Sequence, residues 1–168
     1  NQMSPLHHRE IGLVGAGLAD NDVYIELICD RLHVISDIIK IVFNTKPVDQ
    51  ILLITDALLA SGLPDGEYVM GGLKMILKNR EARLESGALM GSTLPYQYGL
   101  RNVYEITGKP LEQLVKCTSW NQANCLNLDS VGKLQKGYRA NIAIMDADFN
   151  VLGTMVRGEL RYRHDTLP

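Results

Sequence analysis

The sequence contains no basic block interleaved with aromatic residues, so nothing in it points to nucleic acid as a partner. Every apolar run is broken by charge or glycine well short of the roughly 18 residues a membrane helix needs. Charge of either sign is scarce in excess: 17 Lys plus Arg stand against 19 Asp plus Glu, a net charge of -2. Only three cysteines occur, Cys29, Cys117 and Cys125. An odd number lying in apolar segments fits reduced thiols of a cytoplasmic protein, not a disulfide framework. Their spacing excludes a C-x-x-C pair, and no His-Cys cluster surrounds them. The chain also lacks an initiator Met and a signal-peptide pattern; "NQMSPLHHRE" reads as a loop already under way, which predicts a piece of something longer.

What is present is enough for one ordinary domain: 168 residues, 46% of them hydrophobic. "VYIELIC", Val23 to Cys29, is an apolar run of strand length that ends in the polar "DRLH". Ser36 is a candidate N-cap for a helix in which Ile38, Ile39, Val42 and Phe43 recur at helical spacing. "ILLIT", Ile51 to Thr55, follows as a second buried strand. Strand, helix, strand predicts one right-handed βαβ unit of a parallel sheet. From Glu67 to Ser92, short apolar stretches punctuated by Gly71, Gly72 and Gly87 predict small hairpins. Tyr96, Leu100, Val103 and Tyr104 then share a helical face with Gly108 as its stop, Pro110 opens a further helix and Ser119 caps a third. From Gly132 onward, alternation at Ile142, Ile144, Val151, Met155 and Val156 predicts two or three antiparallel strands. So few strands call for partners from elsewhere.

Two successive strands deliver Asp30 to His33 and Asp56 to their C-terminal ends, the edge of an α/β sheet where catalytic groups collect. Taken singly, His33 reads equally as a structural histidine and Asp56 as a helix cap. Arg9, in a loop after His7 and His8, is a candidate grip for phosphate or carboxylate, though such an arginine is more often a solvated charge. Adjacent His7 and His8 lack the spacing of metal ligands. "GALMGST", Gly87 to Thr93, reads either as a backbone approach to a ligand or as a helix-entry turn.

In order along nearly the whole chain, "NQMSPLHHRE-IG", "CDRLHV", "LLITDALLASGLPDGEY", "SGALMGST" and "VGKLQKGYRANIAIMD" resemble motifs of the N-acetylglucosamine-6-phosphate deacetylases of the amidohydrolase superfamily. The resemblance implies an α/β fold. Residues 1–131 would be the C-terminal part of a TIM (β/α)8 barrel, its last two strands and their helices. Residues 132–168 would be the C-terminal strands of a small β-sandwich domain. It implies metal-dependent hydrolysis of N-acetylglucosamine 6-phosphate, with Asp56 taking a proton from the water held on the metal and passing it to the departing amine. Asn1, Gln2 and Arg9 would hold the sugar phosphate; Asp30, Arg31, Leu32 and His33 would line the sugar; Leu89, Met90 and Gly91 would close over it. The implied cofactor is a divalent metal of the zinc or iron class, the implied partner a phosphorylated amino sugar, and the implied assembly a homodimer.

Four positions depart from the family's motifs: Gln2 for Ala, Arg31 for Gly, Ile11 for Pro and Asn141 for Asp. Arg31 places a large cation beside the sugar loop and leaves open a related amidohydrolase acting on another amide. The family's principal metal ligands, a glutamate and two histidines, would precede Asn1, so the chain holds no complete metal site and Asp56 is the one possible contributor. A catalytically inactive module is the reading from a different class.

Overall fold

Ile25–Ile28 (β1) and Ile51–Ile54 (β2) pair in parallel, with Ile25 opposite Ile51 and Ile28 opposite Ile54. A parallel pair cannot be joined by a tight turn, and here the crossover is a helix, Ser36–Thr45, designated α2. It follows the shorter α1, Gly12–Ala19, at the start of the chain. The computed structural model describes residues 3–167. Asn1 and Gln2, expected to meet the sugar phosphate, lie outside the described residues.

The α2 stripe of Ile39, Val42 and Phe43 is buried against the inward side chains of β1 and β2, which is the burial its 3.6-residue periodicity demands. Ile35 occupies the N-cap position without a side-chain bond, so Ser36 is the first helical residue and not the cap. Asp37 in that first turn offers charge favourable to the helix dipole instead. Burial deepens along β1 to Leu27 and Ile28, whereas β2 is buried from its start through Ile51, Leu52 and Leu53 and emerges at Ile54.

Where small hairpins were expected, a four-stranded antiparallel meander forms from β3 (Gly66–Met70), β4 (Leu73–Lys78), β5 (Glu81–Leu84) and β6 (Leu89–Ser92). One face buries Met75, Leu77 and Ala82 over Ala60, forming a core separate from that of the βαβ unit. A parallel bridge between Ala57 and Ser92 brings the end of β6 alongside the extension of β2. Two backbone bonds close it: Ser92 N–H donates to the Asp56 carbonyl at 3.0 Å, and Leu58 N–H to the Ser92 carbonyl at 3.2 Å.

Helix α3, Tyr96–Thr107, stops at Gly108, which adopts the left-handed conformation, φ 62° and ψ 12°. Its buried residues are Leu100, Asn102 and Val103, whereas Tyr96 and Tyr104 stay partly exposed. Pro110 precedes the short α4, Leu111–Leu114, and Ser119 precedes α5, Trp120–Cys125. Ser119 sits at the N-cap position, but its hydroxyl donates to the Gly132 carbonyl at 3.3 Å and caps nothing. The last three strands, β7 (Ile142–Met145), β8 (Val151–Val156) and β9 (Glu159–Arg163), form an antiparallel sheet. Phe149, in its first turn, is buried in the same core as Phe43 and Val103. Tyr98 donates to the Asn150 side chain at 3.2 Å, which fastens that turn to α3.

Candidate active site

Beyond the last β1 residue the chain turns through Cys29 to His33, and its polar groups bond mainly to one another. The Asp30 carboxylate accepts the N–H groups of Leu32 and His33 through Oδ1, each at 2.9 Å. Its Oδ2 lies 2.7 Å from His33 Nδ1, with the two side chains only 4% and 5% exposed. Burial by itself raises the Asp30 carboxyl. The bonds from the His33 amide, the His33 ring and the Leu32 amide, together with the His33 charge, outweigh that and hold the carboxyl below its ordinary value. Asp30 therefore stays ionised and fully occupied, and His33 is left with Nε2 to address a ligand.

Asp56 takes the other strand end. Its backbone is left-handed, φ 51°, which an aspartate adopts at some cost. The carboxylate accepts no hydrogen bond among the described residues, and the residue is exposed. Gly91 explains how it is held: with φ +61°, it brings β6 so close that a Cβ there would stand 2.8 Å from the Asp56 carbonyl and 2.9 Å from Leu58 Cγ. Only glycine admits both the dihedral and the approach.

A cleft of about 550 Å³ joins the two strand ends, lined by Leu32, His33 and Asp56 on one side and by Arg83, Gly87, Ala88, Leu89 and Gly91 on the other. Five expected site residues thus come together: Leu32, His33, Asp56, Leu89 and Gly91. Asp30 lies behind His33. Arg31 turns to the carboxylate of Glu105 on α3, with a left-handed φ of 67°. Arg9 and Met90 do not line the cleft among the described residues, and the Arg9 amide donates to His7 Nδ1 at 3.3 Å.

Arg83 is the cationic lining residue that sequence reasoning missed. Its Nε donates to Glu81 at 2.9 Å and its Nη1 to the Gly87 carbonyl at 2.8 Å, so the guanidinium props the β5–β6 turn that roofs the cleft. Among the described residues, no three His, Cys, Asp or Glu side chains gather as a metal site. Asp56 is a free carboxylate, and one such group does not hold a metal.

These strand ends carry the signature of a known class: residues 50–161 match the model of the amidohydrolase family, and the chain belongs to that family. Within it, the chain is similar to an N-acetylglucosamine-6-phosphate deacetylase of Lysinibacillus sphaericus, 39% identical over 161 residues, covering 96% of this chain and 42% of the relative. It is also similar to a putative N-acetylgalactosamine-6-phosphate deacetylase of Escherichia coli K12, 37% identical, covering 95% of this chain and 96% of that protein. The crystal structure of the Thermotoga maritima N-acetylglucosamine-6-phosphate deacetylase superposes with a TM-score of 0.90 at 41% identity, covering 95% of this chain and 44% of that one. The chain thus spans less than half the length of the first and third of these proteins. No helix among the described residues is long and apolar enough to cross a membrane.

Proposed function

We propose that the chain is the C-terminal part of a deacetylase that hydrolyses N-acetylglucosamine 6-phosphate to glucosamine 6-phosphate and acetate. The observation that carries this reading is the cleft in which the free Asp56 carboxylate and His33 stand at the ends of adjacent parallel strands beneath the Gly91 turn. In this reading β1 and β2 are the last two strands of a (β/α)8 barrel. Each is short, apolar and followed by a site loop, which is how such barrels deliver catalytic groups. The β7–β9 sheet belongs to the small second domain, within the 132–168 segment.

Asp56 takes a proton from the attacking water as its oxygen bonds to the acetyl carbon, then gives that proton to nitrogen as the C–N bond breaks. Acetic acid and the amine leave, the acid's proton passing to the amine or to solvent so that acetate is the released form, and the Asp56 carboxylate is restored. His33 Nε2 and Leu32 bind the sugar; Leu89 and Gly91 cover it, while Met90 between them packs against the Met75 core and steadies the turn; Arg9, with Asn1 and Gln2, takes the phosphate. A divalent metal of the zinc or iron class supplies Lewis-acid chemistry to the whole enzyme. The described residues do not make its site. A homodimer and a cytoplasmic location complete the reading, the latter supported by three unpaired cysteines.

The similarity to the Escherichia coli protein supports a second reading, with the galactosamine epimer as substrate. Acetate release from both phosphosugars, measured on the protein its gene encodes with zinc supplied, tests the two together. Turnover of the glucosamine compound at the higher kcat/KM is expected. Preference for the galactosamine compound installs the second reading, and release from neither overturns both.

A further inference from the structure

Asn102 is an unexpected residue on the core face of α3. It is 7% exposed, flanked by the buried Leu100 and Val103, and asparagine is a poor choice for a helix interior. Its Nδ2 donates to the Cys29 carbonyl at 2.8 Å, across 73 residues of sequence. That carbonyl lies one residue past Ile28, the last pair of the β1–β2 ladder. Left without a partner in the core, it would carry the full penalty of a buried unmade bond. The Cys29 carbonyl and the Asp30 N–H belong to one rigid peptide plane. Fixing the oxygen therefore fixes the direction in which Asp30 leaves the strand, and Asp30 in turn holds His33 by its ring and its amide.

We infer that Asn102 is a positioning residue for His33, acting through the Cys29 carbonyl and the Asp30 carboxylate. The inference rests on the deacetylase reading only for its kinetic readout. A second contact from α3, between Glu105 and Arg31, reaches the same loop, but its groups are 50% and 39% exposed and such pairs contribute little. The buried amide is the hold that matters. It places the floor of the site under the control of a helix that sends no side chain to the Asp56 and His33 cleft.

The test uses Asn102→Leu, which keeps the side chain's branched shape at Cγ and removes the donor, in wild-type and His33→Ala backgrounds. In the wild-type background KM for N-acetylglucosamine 6-phosphate is expected to rise about tenfold, the scale of one buried hydrogen bond left unmade, with kcat nearly unchanged. In the His33→Ala background the same substitution is expected to change KM less than about twofold, the signature of coupled residues. A tenfold rise in both backgrounds, or in neither, overturns the inference. Independently of turnover, the nitrogen-15 spectrum of the His33 ring is expected to lose its slowly exchanging Nδ1 proton in Asn102→Leu. Should no phosphosugar be turned over by the wild type, the deacetylase reading fails and this spectrum alone decides Asn102: an unchanged signal refutes it. If Asn102→Leu does not fold, Asn102→Ala, which leaves room for a water at the carbonyl, is expected to give the same pattern at about threefold.

Discussion

Replacing Gly91 by Ala asks whether the close approach of β6 to the β2 extension holds Asp56 in place. Gly91 and Gly108 have nearly the same left-handed φ, +61° and +62°, so an alanine costs each about 1 kcal/mol in backbone strain. Their surroundings differ. A Cβ at Gly108 meets nothing within 4 Å, whereas one at Gly91 meets the Asp56 carbonyl at 2.8 Å, about 0.6 Å inside the 3.4 Å where ordinary contact begins. A backbone carbonyl cannot step aside like the end of a side chain, and overpacking of this kind adds about 2 kcal/mol. At about 3 °C per kcal/mol for a chain of this size, Gly108→Ala should lower the unfolding midpoint by about 3 °C and Gly91→Ala by about 9 °C. Displacement of the carbonyl moves Asp56 with it, and errors of that size in a reacting group cost about tenfold to a hundredfold in rate. Thermal unfolding and acetate release on the two variants side by side supply the assay. Equal midpoints and equal activities would refute the claim that Gly91 seats the aspartate.

Other consequences follow from the same geometry. Because the folded Asp30 carboxyl lies below its ordinary value, its contribution to stability is complete above about pH 4 and is lost as pH falls through the depressed folded value. Asp30→Asn should therefore flatten the acid limb of the midpoint-versus-pH curve, and parallel curves would contradict the Asp30–His33 pairing. Arg31→Gly relieves a left-handed arginine, about 1 kcal/mol, and loses an exposed pair worth about 0.5 kcal/mol. Stability should hold or rise slightly with an unchanged preference among amide substrates; a switched preference would return Arg31 to the sugar. Burial, then the Asp49 charge, pushes the Cys117 thiol up to about 12, and burial pushes Cys29 further, aided by Cys117 and Asp30. At pH 8 a thiol reagent should label half-buried Cys125 first and reach the other two on the timescale of unfolding. Fast labelling of more than one thiol would contradict that packing.

The βαβ unit was legible because period and composition agree: β-branched runs at Ile25–Ile28 and Ile51–Ile54 flank a helix with one apolar stripe. Asp56 and His33 were legible for the same reason, as polar residues terminating buried strands. Helix α1 was not, since GLVGAGLA is apolar on every side and carries no period. The β3–β6 meander appeared only as hairpins because the Ala57–Ser92 bridge that orients it joins residues 35 positions apart. Arg83 belongs to that meander, and nothing local marks it as facing His33. Asn102 was hidden by its own chemistry: within an apolar helix face, an asparagine reads as a break in the pattern until its carbonyl partner at Cys29 is seen. Asp30 and Arg31 were expected beside the sugar because "CDRLHV" resembles the family's sugar-loop motif. Burial and the bonds from Leu32 and His33 draw Asp30 inward, and Glu105 draws Arg31 toward α3.

Asp56→Asn keeps the size and the exposure of the side chain while removing its capacity to take a proton. Acetate release from N-acetylglucosamine 6-phosphate by this variant and the wild type, under one metal supply, bears most directly on the proposed role of the cleft. A fall in kcat of about a hundredfold to ten-thousandfold with an unfolding midpoint within about 2 °C is the expected result. An undiminished rate would show that the proton is moved elsewhere and that Asp56 is only the end of a strand.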